Sequence, residues 1–260
     1  MLKWFLGSIN IIMSRTLLSL VIVLLLTSCQ SVKKSHTLQT IAVVNSGISG
    51  NTTRNLLDRI HSDAVNHHPD LAIVMVGTND MLNSRKMISY KEYKQNLEQI
   101  TLKLKAEGSQ VLLMSPPPVD SAYLFERHDK ALYKESPNVI MDSVSHIIEE
   151  IALKNNVLYL NMYKVIHKMD LPKHNQDIYF RNAMNSGKRD GVHPTKIGYK
   201  LIGDRVFEFL SANKLLSKYR KILCFGDSIT FGAGAKGGGT VTGDNYPSFL
   251  YQRLTGLACK

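Results

Sequence analysis

Cysteine is scarce in this sequence, and so are long apolar runs. The three cysteines, Cys29, Cys224 and Cys259, give no disulfide framework. A bridge between Cys224 and Cys259 stays open, although Cys224 lies within an apolar run and reads as a buried thiol. No cysteine or histidine spacing suits a zinc site, and His67-His68 ahead of Pro69 reads as the end of a helix. The apolar stretches fall short of the roughly 20 residues that a membrane-spanning helix needs. Clustered basic stripes and aromatic platforms are missing too, which sets nucleic acid aside despite a formal net charge of +11. There is no internal repeat and no segment biased enough to be disordered. What remains, 260 residues at 44% hydrophobic, suits one globular domain with a sizeable core.

The N-terminus is built differently. Lys3 and Arg15 precede an apolar stretch at 17–26, and Leu26-Thr27-Ser28-Cys29 follows directly, in the order of a secretion signal. Those four residues resemble a bacterial lipobox, whose cysteine is acylated and becomes the new N-terminus. The expected organisation is a signal peptide over 1–28, a lipidated Cys29, a polar tether over 29–37 and one domain over 38–260. A retained transmembrane helix is the competing reading, and Met1 and Met13 both serve as starts with a basic segment behind them. Cleavage before Cys29 removes two basic residues and lowers the net charge from +11 to +9, a balance that favours membrane surfaces or acidic glycans.

Short continuous apolar runs at 41–44, 71–76, 111–114, 157–160 and 222–225 are bounded by turn residues, as buried parallel strands are. Between them, Tyr90, Tyr93, Leu97, Ile100 and Leu104 recur at helical spacing. Similar stripes are Leu56-Leu57-Ile60, Val144-Ile147-Ile148-Ile151 and Ile197-Leu201-Val206-Phe209. The alternation predicts an α/β fold: a three-layer α/β/α sandwich around a doubly wound, five-stranded parallel sheet. Irregular stretches at 116–134, 168–189 and the glycine-rich 232–243 fall where strands end, the side on which such sheets bind ligands.

Four of these strand-end or loop segments carry chemistry. Gly226-Asp227-Ser228 follows the fifth apolar run and places a serine hydroxyl at the sheet edge, although Ser and Asp there also serve as helix caps. Asp190-Gly191-Val192-His193-Pro194 offers a base and a carboxylate in one turn, with Pro194 suited to the first position of a helix. Acyl transfer also needs donors aimed at the oxyanion, each worth about 3 to 4 kcal/mol. Gly50, in Ile48-Ser49-Gly50-Asn51-Thr52, can present a bare backbone N–H, and Asn79, in Gly77-Thr78-Asn79-Asp80, a side-chain amide. Separately, each is an ordinary turn.

Together the four segments resemble the sequence blocks of SGNH/GDSL hydrolases, over nearly the whole chain beyond Cys29. The resemblance implies a flavodoxin-like sheet with Ser228 as nucleophile, His193 as base and Asp190 orienting it. Oxyanion donors would be Gly50, Asn79 and the N–H of Ser228, with Asp227 structural and neither metal nor organic cofactor required. One departure is large. The serine block comes last here rather than first, which looks like a circular permutation that leaves the nucleophile strand at the end. Joining the C-terminal helix, expected over 246–254, to the first strand would restore the family order.

The resemblance implies carboxylic esters as substrates: short acyl or O-acetyl groups, with a lean toward acetylated glycans. Lysophospholipase, thioesterase or O-acyltransferase activity would use the same triad, and a non-catalytic envelope lipoprotein is the rival of another class. Expected partners are a small-molecule or glycan ester and a membrane reached through the lipid. Oligomeric state is left open. The stretch Gly232-Ala233-Gly234-Ala235-Lys236-Gly237 matches a dinucleotide fingerprint in letters only, since no strand follows it, and reads as a flexible loop beside the site.

Overall fold

The computed structural model describes residues 41–256. The signal segment, Cys29, its tether and Cys259 lie outside the described residues. Five parallel strands form one sheet in the order β1-β5-β2-β3-β4, with β1 Ala42–Gly47, β2 Leu71–Met75, β3 Gln110–Met114, β4 Leu158–Leu160 and β5 Lys221–Gly226. Among the described residues, the last strand thus lies between the first two. Four long helices flank the sheet: α1 Tyr90–Ala106, α2 Pro137–Asn155, α3 Lys196–Ala212 and α4 Tyr246–Thr255.

Successive strand residues point to opposite faces, and this splits the core in two. Leu223 and Phe225 of β5 pack with Ala72, Val74, Val111 and Leu113 against α1 and α2. Ile222 and Cys224 pack with Ile73, Met75, Leu112 and Met114 against α3 and α4. Every residue of β2 is buried, as expected for a strand covered on both faces. The Cys224 thiol is fully enclosed, and burial pushes it up to about 12, so it is inert as a nucleophile.

Element boundaries differ from the sequence expectation where pairing, not hydrophobicity, decides. β1 runs past the apolar residues through Asn45, Ser46 and Gly47, because these pair with Cys224, Phe225 and Gly226 of β5. The stripe at Leu56-Leu57-Ile60 is broken at Arg59 into Thr53–Asp58 and Ile60–Asp63. The Arg59 guanidinium donates to the carbonyls of Ser46 at 3.0 Å and Gly226 at 2.9 Å and lies over the Phe225 ring, tying together the ends of β1 and β5. In α3 the expected stripe is met in part: Val206 is buried and Leu201 and Phe209 pack against the core, but Ile197 is 47% exposed, and Tyr199, Ile202 and Leu210 complete the buried face. The helix begins at Lys196 with Thr195 as its cap, so Pro194 stands before the helix and not at its first position.

Candidate active site

The carboxyl ends of the strands bring all four sequence segments together. After β5, Asp227 accepts a hydrogen bond from the Ile229 N–H at 2.9 Å and so opens the short helix Ser228–Phe231. Ser228 is its first residue, where a backbone N–H has no acceptor within the helix. Opposite it, the triad turn is held by the segment before it: Arg181 N–H donates to the His193 carbonyl at 2.9 Å, and Gly191 N–H to the Arg181 carbonyl at 2.8 Å. Gly191 has φ +67° and passes so close to Asp120 that a Cβ would lie 2.7 Å from its Cβ. Only glycine satisfies both conditions.

The turn delivers His193 between its two partners. Its Nδ1 lies 2.9 Å from both oxygens of Asp190, and its Nε2 lies 3.0 Å from the Ser228 hydroxyl. Asp190 also accepts from the backbone N–H groups of Val192 and His193, each at 3.1 Å. Burial by itself would raise the Asp190 carboxyl, but the hydrogen bond and charge of His193, with those two N–H groups, outweigh it and hold it at about 2. A carboxylate on Nδ1 leaves Nε2 as the acceptor for the serine proton.

Gly50 and Asn79, the expected oxyanion donors besides the Ser228 N–H, line the same open cavity of about 270 Å³ as Ser228 and His193. Gly50 adopts φ +80°, and the Asn79 amide donates to the carbonyl of Asn51 at 3.0 Å, next to it. Behind them, Asp80 is fully buried and takes both the N–H and the hydroxyl of Thr53, at 2.9 and 2.5 Å. Asn79 and Asp80 therefore fix the loop that carries Gly50. Burial raises the carboxyls of Asp80 and, to about 7, of Asp227.

Four basic residues that sequence reasoning did not single out also stand here. Arg127 donates to the Asp190 carbonyl at 2.6 Å and lies 3.7 Å from its carboxylate. Arg181 lies 3.5 Å from the other carboxylate oxygen. His128 lines the cavity, and Lys86 donates to the Gly50 carbonyl at 2.6 Å. Arg127 and His128 belong to the 116–134 wall and Arg181 to the 168–189 wall, but no spacing signal marks them. Of the glycine-rich stretch 232–243, only Ala233 reaches the cavity. The Asn245 amide pins that loop through the carbonyls of Gly237 and Thr240, at 3.2 and 2.9 Å.

An acetylxylan esterase of Geobacillus stearothermophilus is 28% identical over 128 residues, 46% of this chain and 54% of that protein, so the chain spans about half the length of the curated relative it matches. Among solved structures, the acetyl xylan esterase AlAXEase superposes with a TM-score of 0.50 at 20% identity, covering 64% of this chain and 79% of that one, a likeness of fold. The acetylxylan esterase Axe2 of Geobacillus stearothermophilus gives a TM-score of 0.48 at 21% identity over 62% of this chain and 68% of that one. Residues 32–201, well over half of the sequence, match the family described as GDSL-like Lipase/Acylhydrolase, and the chain belongs to that family.

Proposed function

We propose that the protein hydrolyses carboxylic esters, short acyl or O-acetyl groups on glycans, through an acyl-enzyme on Ser228. The observation that carries this reading is the unbroken series from Asp190 through His193 to the Ser228 hydroxyl, at 2.9 and 3.0 Å, opening onto the cavity. His193 takes the serine proton as the hydroxyl oxygen attacks the ester carbonyl, then returns it to the departing alcohol. Asp190 holds the imidazole in the required tautomer and stabilises its protonated form. Negative charge developing on the carbonyl oxygen meets the N–H groups of Ser228 and Gly50 and the Asn79 amide. Water then repeats the sequence on the acyl-enzyme.

A cavity of about 270 Å³ lies at the small end of ligand pockets and suits an acetyl group with one sugar better than a long acyl chain. The acetylxylan esterase relative favours the same substrate class. The decisive experiment treats the folded domain with a fluorophosphonate probe and p-nitrophenyl acetate. Wild type labels and turns over, Ser228→Ala and His193→Ala do neither, and an unreactive folded wild type would hand the reading to a non-catalytic binding module.

Two features outside the chemistry complete the proposal. The family match ends at residue 201, ahead of β5, while β5 occupies the interior place between β1 and β2; this supports a circularly permuted order. Moving residues 214–256 ahead of residue 41 through a short linker should then preserve ester turnover, and a folded but inactive product would count against it. Cys29 is the proposed lipid attachment point, anchoring the domain in the cell envelope; incorporation of labelled palmitate that persists in Cys29→Ser would exclude it.

A further inference from the structure

The cavity beside Ser228 has a charge that ester hydrolysis alone does not require. Arg127 and His128 line it, and no carboxylate does among the described residues. Arg127 and Arg181 share the single carboxylate of Asp190, so one positive charge is in excess there, and of the two guanidiniums only Arg127 lines the cavity. Lys86 spends its ammonium on a neutral carbonyl, that of Gly50, beside the same opening. Of the two acids that flank Arg127 and His128 in sequence, Glu126 is tied to Arg189, and Asp129 accepts the Ala131 N–H and does not line the cavity. Asp80 and Asp227 lie buried.

His128 adds a directional donor. The Ser84 backbone N–H and hydroxyl both approach its Nδ1, at 3.3 and 3.1 Å, and a backbone N–H can only donate. Nδ1 is therefore the acceptor nitrogen and Nε2 carries the proton. Burial, then the charges of Arg127 and Arg85, lower the His128 pKa.

We infer that the preferred ester is carried on an acidic sugar, with a hexuronate carboxylate held by Arg127 and steered by Lys86 and Arg85, and a neighbouring sugar hydroxyl or carboxylate oxygen taken by the His128 Nε2–H. This inference rests on the esterase reading and names the substrate class for the same site. A guanidinium carries five N–H donors, and Arg127 spends one on the Asp190 carbonyl, so others remain for a substrate carboxylate. The exposed lysine and arginine beside it act at longer range, raising the encounter rate of an anion in a salt-dependent way.

The test compares kcat/KM for a mono-O-acetylated methyl glucuronoside and the corresponding methyl glucoside, which differ at one carboxylate, with p-nitrophenyl acetate as reference. Wild type should prefer the glucuronoside by about tenfold, the scale of one charge-assisted hydrogen bond. The preference should shrink as ionic strength rises from about 0.01 M to about 0.15 M, while the glucoside rate stays level. Arg127→Gln should bring the ratio to about one, and Arg127→Lys should keep part of it; Lys86→Gln should lower it less.

If Arg127 served only to hold Asp190, Arg127→Gln would slow both sugars equally and leave the ratio unmoved, which would overturn the inference. Equal rates on both sugars in a wild type that turns over p-nitrophenyl acetate would also overturn it and leave the esterase reading standing. Preference for long-chain phospholipid esters would replace the acidic glycan with a lipid. No ester turnover by the folded protein would end both readings.

Discussion

Two carboxylates stand at the two turns that make this site, and they are held on opposite sides of the ordinary range. Asp190, beside His193, lies at about 2, and Asp227, beside Ser228, at about 7. Both are buried, Asp190 at 8% and Asp227 at 1% exposed, so depth alone does not separate them. The donors do. Asp190 receives an imidazole N–H and two backbone N–H groups, with two guanidiniums within 4 Å. Asp227 receives the Ile229 N–H on one oxygen, and its other oxygen is buried without a partner. At Asp227 burial outweighs the Ile229 N–H and the charge of His193, both of which lower it, and the buried Asp80 carboxyl adds to the rise. One turn is built to keep a charge and the other to tolerate a neutral acid.

The comparison breaks most severely at Asp190. Asp190→Asn should keep the fold while leaving His193 in the wrong tautomer, and kcat should fall by about four orders of magnitude. A loss below about tenfold would mean that the carboxylate does not set the imidazole. Asn79→Ala removes one donor from the developing oxyanion, for a fall in kcat of about 10² to 10³ with little change in KM. A change in KM alone would move Asn79 from transition-state stabilisation to ground-state binding.

Stability against pH sharpens the contrast, because the two acids carry opposite signs. Asp190 is depressed when folded, so its contribution is present above the ordinary carboxylate range and is lost as pH falls toward about 2. Asp227 is raised, so it favours the folded state below its unfolded value near 3.8, and that contribution is lost as pH rises through about 7. The full swing is on the order of 4 kcal/mol. Asp227→Asn should remove this decline. Urea midpoints measured from pH 4 to pH 9, as a difference between wild type and variant, will show it; parallel curves would mean that Asp227 does not titrate in that range.

Much of this was legible in the sequence because the responsible signals are local. The apolar runs that become strands, the stripe from Tyr93 to Leu104, and Gly226-Asp227-Ser228 with Asp190 to His193 each lie within a few residues. What escaped the sequence depends on partners far along the chain. The helical stripe is broken at Arg59, whose guanidinium is used by Ser46 and Gly226, 13 and 167 residues away. The buried face of α3 is set by Phe249 and Leu250 on α4 and by the sheet, so Tyr199 and Ile202 are enclosed while Ile197 is left outside. Arg127, Arg181, His128 and Lys86 carry no motif at all. Their meaning comes from Asp190, Ser84 and Gly50, to which only folding brings them.

The sequence by itself determined the class of fold, the order of strands and helices along the chain and the residue types able to carry acyl transfer, because hydrophobic periodicity and turn chemistry act over short range. The tertiary structure alone decided that the last strand sits between the first two, that His193 stands 3.0 Å from Ser228, and that two guanidiniums share one carboxylate. Sheet pairing, hydrogen-bond geometry and the balance of burial against nearby donors are properties of groups in contact, and contact across 35 or 167 residues of chain is not written in any window of it.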